Sequence, residues 1–568
     1  MKTACTFYTY DSVQDTYNPI TKVAKGELME KTQPYYKTTQ QYSLNYKNTF
    51  NDLHDVEALA LWEWKETNTN WFMARRYYST TSAIPELDRG DVDNMYNEGN
   101  SAVYKYGGLV GRLNYVYAGK YMAEFSFRYD GSYKTAPDKR WGFFPAVSAG
   151  WRISEEQFMK DLVPQMDNLK LRASWGSIGN DSQLNASQFV SGWQFEDRFI
   201  LGGAGNSSAS ITNGMKEANL ANPNITWYKV MTTNVGLDGS FWGGKLSFEF
   251  DYFYRKTTGY PATRNTSLPT TSGIPLPQEN LNSSDNRGFE LSLGTVQRIG
   301  NVNLQIKGNV AYAREKDLYK EQALPLNQYK NWRDNGAYRW KNVTWGYEHI
   351  GQFQSYDEIY NSPIQDGKGN SSLRPGDIKY KDLNGDGLIY ANDEKVIGKG
   401  TFPDLNFGLT LAADWKGFDV NILFQGASNY TQVLNALTSP FRGPGEGNGF
   451  RVWMDSWHKA DYNDPDSEWV PGKFPSLRIE GNDNNSKKST YWTTDAYYVR
   501  LKSIEIGYTI PKNLLSKVGI EHLRVYANAY NPLTITNVKY TDPEAIEGWQ
   551  SFYYPQLKVY SFGVNVSF

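Results

Sequence analysis

Strict alternation of apolar and polar side chains constrains this chain more than any single motif, because only an extended strand puts every second residue on one face. In the last nine residues Tyr560, Phe562, Val564, Val566 and Phe568 fall on one side, and Ser561, Gly563, Asn565 and Ser567 on the other. No position breaks the pattern. Residues 121–130 set Tyr121, Ala123, Phe125, Phe127 and Tyr129 against Met122, Glu124, Ser126, Arg128 and Asp130, and 405–415 repeat the arrangement. In 246–255 only Phe253 intrudes on the polar side. The same reading predicts fifteen strands near 40–49, 54–65, 104–117, 119–133, 143–153, 168–177, 228–241, 245–257, 286–297, 302–314, 403–415, 418–428, 496–509, 522–531 and 557–568, with residues 3–10 as the tail of a sixteenth.

Many of these segments exceed the usual five or six residues of globular strands and approach the 9 to 11 that a tilted strand needs to cross a bilayer. Their connections alternate. Ala118-Gly119, Gly243-Gly244, Arg298 to Asn301 and Lys416-Gly417 make tight hairpins, whereas 66–103, 178–227, 258–285, 315–402 and 429–495 are long. Short turns on one side and long loops on the other are the habit of outer-membrane barrels. By that alternation Phe568 ends on the short-turn, periplasmic side. The competing reading is a soluble β-sandwich or propeller, whose strands also alternate over a core. Segment length, loop length and aromatic residues gathered near strand ends all favour the membrane barrel.

Composition closes other routes. With 59 Lys and Arg against 61 Asp and Glu, nothing in the charge points to nucleic acid. Cys5 is the only cysteine, so no internal disulfide forms, and the four histidines stand singly. No run approaches the 18 or so apolar residues of a membrane helix. The opening residues carry no apolar stretch of the secretory kind.

The blocks GLVGRLNYVYAGKYMAEFSFRYDGS (108–132), FFPAVSAGWRISEE (143–156), LKLRASWGSIGND (169–181), RPGDIKYKDLNGDGLIYANDEKVIG (374–398), PDLNFGLTLAADWKGFDVNILFQG (403–426), YYVRLKSIEIGYTIP (497–511) and YSFGVNVSF (560–568) follow one another in this order. Together they resemble the SusC/RagA family of TonB-dependent outer-membrane transporters across nearly the whole chain. The resemblance implies an all-β fold, an antiparallel transmembrane β-barrel of 22 strands with a plugged lumen. Residues 1–568 would supply only its fifteen or sixteen carboxy-terminal strands, without plug domain, TonB-contacting segment or signal peptide. It further implies an outer-membrane importer of oligosaccharides or peptides that works with a SusD-like surface lipoprotein and the TonB complex. This portion alone would be inactive and would show an open sheet edge or a strained seam.

The sharpest chemical motif lies at residues 382–394. Asp382, Asn384 and Asp386 occupy positions 1, 3 and 5, Gly387 position 6, Leu388 the carbonyl position 7 and Asp393 position 12 of an EF-hand-like calcium loop. The shorter Asp at position 12 and the lack of flanking helix patterns depart from that motif. The alternative is a metal-free turn rich in Asn, Asp and Gly. A second feature is aromatic density at Tyr329, Trp332, Tyr338, Trp340, Trp345 and Tyr347, with Trp453 and Trp457 further on. Such rings either stack on sugars or build the small cores large loops need, and the second use is expected for most of them. No phosphate-binding loop, dinucleotide fingerprint, nucleophile elbow or zinc-protease motif occurs, and no catalytic pair stands out. Two other functional classes compete with the importer: a passive porin or adhesin barrel, and a surface glycan-degrading enzyme.

Overall fold

A computed structural model describes residues 7–11, 16–20, 26–78, 86–93, 95–186, 188–201, 210–264, 276–323, 325, 327–434, 450–478, 483–515, 519–545 and 556–568. Its centre is one antiparallel sheet of sixteen strands. Two of them, Gly26–Thr32 and Tyr35–Phe50, run in a single register along the next strand and count as one path, β1. Pro34, which lacks an N–H, marks the break between them. The other paths are β2 (His54–Tyr78), β3 (Tyr96–Tyr117), β4 (Tyr121–Ser132), β5 (Trp141–Arg152), β6 (Met166–Asn180), β7 (Tyr228–Phe241) and β8 (Leu246–Thr263). They continue as β9 (Gln278–Ile299), β10 (Val302–Tyr319), β11 (Leu405–Trp415), β12 (Phe418–Val433), β13 (Thr493–Thr509), β14 (His522–Thr536) and β15 (Val559–Ser567). Each pairs with its neighbours in chain order, so all fifteen expected strands are present.

Two expectations need correction. Residues 7–11 pair with 16–20 in a separate hairpin and do not enter the main sheet. The loops are shorter than expected because the ladders run past the apolar stretch. β2 spans 25 residues and pairs with β3 from His54 to Arg75, which reduces the 66–103 loop to 79–95. Backbone hydrogen bonding continues above the point where lipid stops demanding apolar side chains, and the periodic signal ends there. The described parts of the 178–227, 315–402 and 429–495 inserts carry short strands, and the last two also short helices, in keeping with the small cores expected there.

The two faces differ as the alternation requires. One presents Val564, Phe562, Leu293, Leu113, Val147 and Val235 to the outside, all more than 40% exposed. Rings collect at its short-turn margin. His54, Tyr117, Tyr121 and Trp151 form a run with centroids 5.1, 6.3 and 6.5 Å apart, and Trp415, Phe418 and Tyr508 another at 6.2 and 4.5 Å. A second aromatic level stands at Tyr129 and Trp141, stacked at 5.1 Å. Tyr121 and Tyr129 are separated by eight steps, about 26 Å along the strand, which at a tilt of about 40° is about 20 Å of height, within the ~25 Å apolar band of an outer-membrane barrel.

Val235 and Asn234 lie at mid-strand on opposite faces. Val235→Arg is expected to destabilise the barrel by about 2–4 kcal/mol, and Asn234→Arg by far less. Urea unfolding in lipid vesicles reads both, and equal effects would contradict the assignment of faces.

Candidate functional site

The polar face is held by ion pairs that cross strands. Arg172 on β6 reaches over β7 to pair with Asp238 at 2.6 Å and with Asp251 on β8 at 2.9 Å. The intervening residue is Gly236, whose absent Cβ would meet the Asp251 carboxylate at 2.6 Å and the Arg172 guanidinium at 2.7 Å. Arg524 on β14 likewise crosses to Asp419 and Glu505, over Gly507. Arg128, Asp130, Glu63 and Lys65 make a third cluster across β2 and β4. Such pairs let these charged groups share a confined face with each of them compensated.

At the long-loop end, two inserts fold together into one cap. Tyr347, Ile378, Tyr380 and Ile389 from residues 320–404 share a core with Trp453, Phe474 and Trp492 from residues 450–492. Polar contacts fix the join. The Tyr380 hydroxyl donates to the Asn484 carbonyl at 2.7 Å, Asn485 Nδ2 donates to Asp377 at 2.8 Å, and Trp492 Nε1 donates to the Asn485 carbonyl at 2.7 Å. Asp377 is fully buried and also pairs with Arg478. A third insert folds over the polar face, where Arg500, 2% exposed, binds Asp542 at 2.8 Å and Glu544 at 3.0 Å.

A cavity of about 850 Å³ opens between the polar face of β6–β10 and the cap segment 333–345. Arg255, Thr257, Ser284, Glu315 and Asp317 come from the strands, and Arg339, Lys341 and Trp345 from the cap. Lys341 bridges Glu315 at 2.6 Å and Asp317 at 3.1 Å. Burial disfavours its charge, but hydrogen bonds to the two carboxylates outweigh that and hold its pKa above the ordinary lysine value.

The aromatic residues divide between core and cavity wall. Tyr347 and Trp453 are core, Trp457 is buried at 4% exposure, while Trp340 and Trp345 line the cavity. Trp340 also stacks on Arg314, 4.5 Å from its centroid. Sequence reasoning missed Arg255, Lys320, Arg339 and Lys341, because nothing local tells a cavity-lining cation from a solvated one.

The 382–394 loop follows a short strand, Ile378–Tyr380, and ends in a 3-10 turn, Ala391–Asp393. Its oxygens bind backbone amides. Asp382 accepts from the N–H of Gly385 and Gly387 at 2.7 and 2.8 Å, and Asn384 from Asp386 at 3.0 Å. Asp386 accepts from Leu388 at 2.9 Å, and the buried Asp393 from Leu383 and Tyr390 at 2.9 and 3.0 Å. Leu388 itself sits in a parallel bridge with Ile364. Among the described residues, no three His, Cys, Asp or Glu side chains converge as a metal-holding group.

The profile of the family described as TonB dependent receptor-like, beta-barrel matches residues 4–532. The chain belongs to that family. It is an outer-membrane β-barrel of the TonB-dependent receptor type. TonB-dependent receptor P3 of Formosa agariphila is 27% identical over 594 residues, covering 100% of this chain and 56% of that protein. TonB-dependent receptor SusC of Bacteroides thetaiotaomicron is 26% identical over 471 residues, covering 81% of this chain and 43% of that protein. The fold matches the structure of the RagAB peptide importer in its open-open state with a TM-score of 0.76 at 21% identity, over 97% of this chain and 56% of that one. The chain thus spans about half the length of the curated relatives it matches.

Two predictions concern the cap. Trp492→Ala empties a fully buried site and is expected to cost about 3–5 kcal/mol of cap stability. Limited proteolysis on intact cells then cuts residues 450–492 while the strands stay protected. Asp366 accepts from the N–H of Lys368, Asn370 and Ser372 at 2.7, 2.8 and 2.9 Å. Burial alone would raise its pKa, but these bonds and the Ser372 hydroxyl lower it to about 2. A depressed carboxyl stabilises the fold above its unfolded pKa of about 3.9 and loses that contribution as pH falls toward 2. The protection factors of the amides at 366–372, each rate taken relative to its intrinsic rate at that pH, should therefore stay high at pH 5 and fall between pH 4 and 2, with those of Asp366→Asn low at both ends.

Proposed function

We propose that this chain is the barrel portion of a TonB-dependent importer that takes up oligosaccharides or peptides with a SusD-like surface lipoprotein as partner. The observation that carries the reading is a polar face, clamped by Arg172 and Arg524, lying under an ordered cap with an open cavity between them. The name of the SusC relative and the likeness to an importer support it.

The sheet edges bear on how the chain works. Among the described residues β15 pairs only with β14, and β1 only with β2. Fifteen antiparallel paths leave β1 and β15 parallel, so the antiparallel ladder cannot close directly. An open edge in hydrocarbon leaves backbone groups unsatisfied, which supports completion of the barrel by the remainder of a longer protein. In that protein, uptake of a labelled oligomer by cells is expected to need an energised TonB complex. Uptake that persists without TonB, together with steady ion conductance in planar bilayers, would make the protein a passive porin instead.

The calcium reading of residues 382–394 is a separate proposal, supported by the spacing of Asp382, Asn384, Asp386 and Asp393 and not by convergence of their oxygens. Millimolar Ca²⁺ should raise the melting temperature of the cap, and Asp382→Ala should remove that rise. Identical melting in Ca²⁺ and in chelator would leave the loop a plain turn.

A further inference from the structure

The cavity between β6–β10 and the cap has charges that its own ion pairs do not balance. Five cations line it, Arg255, Lys320, Arg333, Arg339 and Lys341, against three carboxylates, Glu315, Asp317 and Asp334. Lys341 takes Glu315 and Asp317, and Arg333 takes Asp334 at 3.6 Å and Glu394 at 2.6 Å. Every lining carboxylate is then in use. Arg255 and Lys320 have no carboxylate partner among the described residues. Arg339 donates to the Arg333 carbonyl at 2.8 Å and lies 5.7 Å from the Trp332 ring, contacts that leave its charge uncompensated.

Cations gathered in a concave site repel one another and focus a positive potential, a cost that an anionic ligand removes. The rest of the wall narrows the class of anion. Thr257, Asn282, Ser283 and Ser284 offer hydroxyl and amide groups that both donate and accept, while Tyr260 and Trp345 offer flat rings. Hydroxyls spread over a flat ring face are the chemistry of a pyranose, and a guanidinium pairs with a planar carboxylate through two hydrogen bonds. An acidic peptide supplies the charge without the hydroxylated face. The volume lies within the range of sites that bury a small molecule.

The geometry points to a subsite for an acidic oligosaccharide, with Arg255, Lys320 and Arg339 binding the carboxylate of a uronic-acid unit. This deepens the importer reading and rests on it. The test uses the full-length receptor in detergent, with tri-galacturonate, maltotriose and tri-glutamate as probes in titration calorimetry. Tri-galacturonate should bind most tightly and weaken with added salt. Arg255→Gln and Lys320→Gln should each weaken it about tenfold, as loss of a charge-assisted hydrogen bond does, and Arg255→Lys should recover part of the loss. Heat-modifiable gel mobility reports that each variant is folded. The subsite is overturned if tri-galacturonate does not bind, if maltotriose or tri-glutamate binds as tightly, or if both neutralised variants bind like the parent. The importer reading fails by a different result, the absence of uptake of any oligomer by energised cells. Import of neutral oligomers with indifference to Arg255→Gln sinks the subsite alone.

Discussion

The backbone hydrogen bond, in a place where water cannot substitute for a missing partner, governs this structure. Within hydrocarbon each unpaired N–H or carbonyl costs several kcal/mol, so the strands must lie in one continuous ladder. Each is paired to the neighbour next in sequence through the apolar band, from β1 to β15. The short turns on one side follow directly, since adjacent antiparallel strands need only a few residues to join. Where the ladder rises above the bilayer it is no longer compulsory, and there the chain departs into inserts.

Once the ladder is fixed, side chains have only two places to go, and each imposes its own chemistry. Lipid accepts apolar groups and rings at the margins. The opposite face must carry charges in a confined space, and it does so by crossing strands. Arg172 and Arg524 each reach two carboxylates because a glycine lies beneath the guanidinium. A side chain at Gly236 would occupy the space of the clamp, so glycine here is a consequence of close approach and not of backbone conformation.

This division explains what the sequence made legible. All fifteen strands could be read because lipid on one side and water on the other enforce a strict period of two. Their upper ends could not, since β2 keeps its hydrogen bonds beyond Lys65 after the apolar alternation has ceased. The hairpin of 7–11 with 16–20 was misread as part of the sheet, because alternation shows a strand but not its partner. The cap was illegible for another reason. Its core joins Tyr380 to Trp453 and Trp492 across 73 and 112 residues of sequence, and no local period reports such contacts. The cavity cations belong to the same class of information: Arg255 continues an ordinary strand pattern, and only the arrival of residues 333–345 turns its position into a wall.

How the cap reaches that position is itself a matter of backbone pairing. β11 covers β10 only as far as Tyr312, which leaves the upper residues of β10 without a neighbouring strand. The cap fills the gap. Ala313 N–H donates to the Asp404 carbonyl at 3.0 Å, Asp317 N–H to the Arg339 carbonyl at 2.9 Å, and Lys341 N–H to the Glu315 carbonyl at 2.9 Å. Residues 339–341 therefore continue the ladder as a strand would, while the Lys341 side chain bridges Glu315 and Asp317 on the cavity side. Widening the cavity would break backbone bonds and a paired lysine together. The wall that carries Arg255 and the roof that carries Arg339 are consequently parts of one rigid ladder, and discrimination among ligands at this cavity is set by which charges that ladder leaves uncompensated.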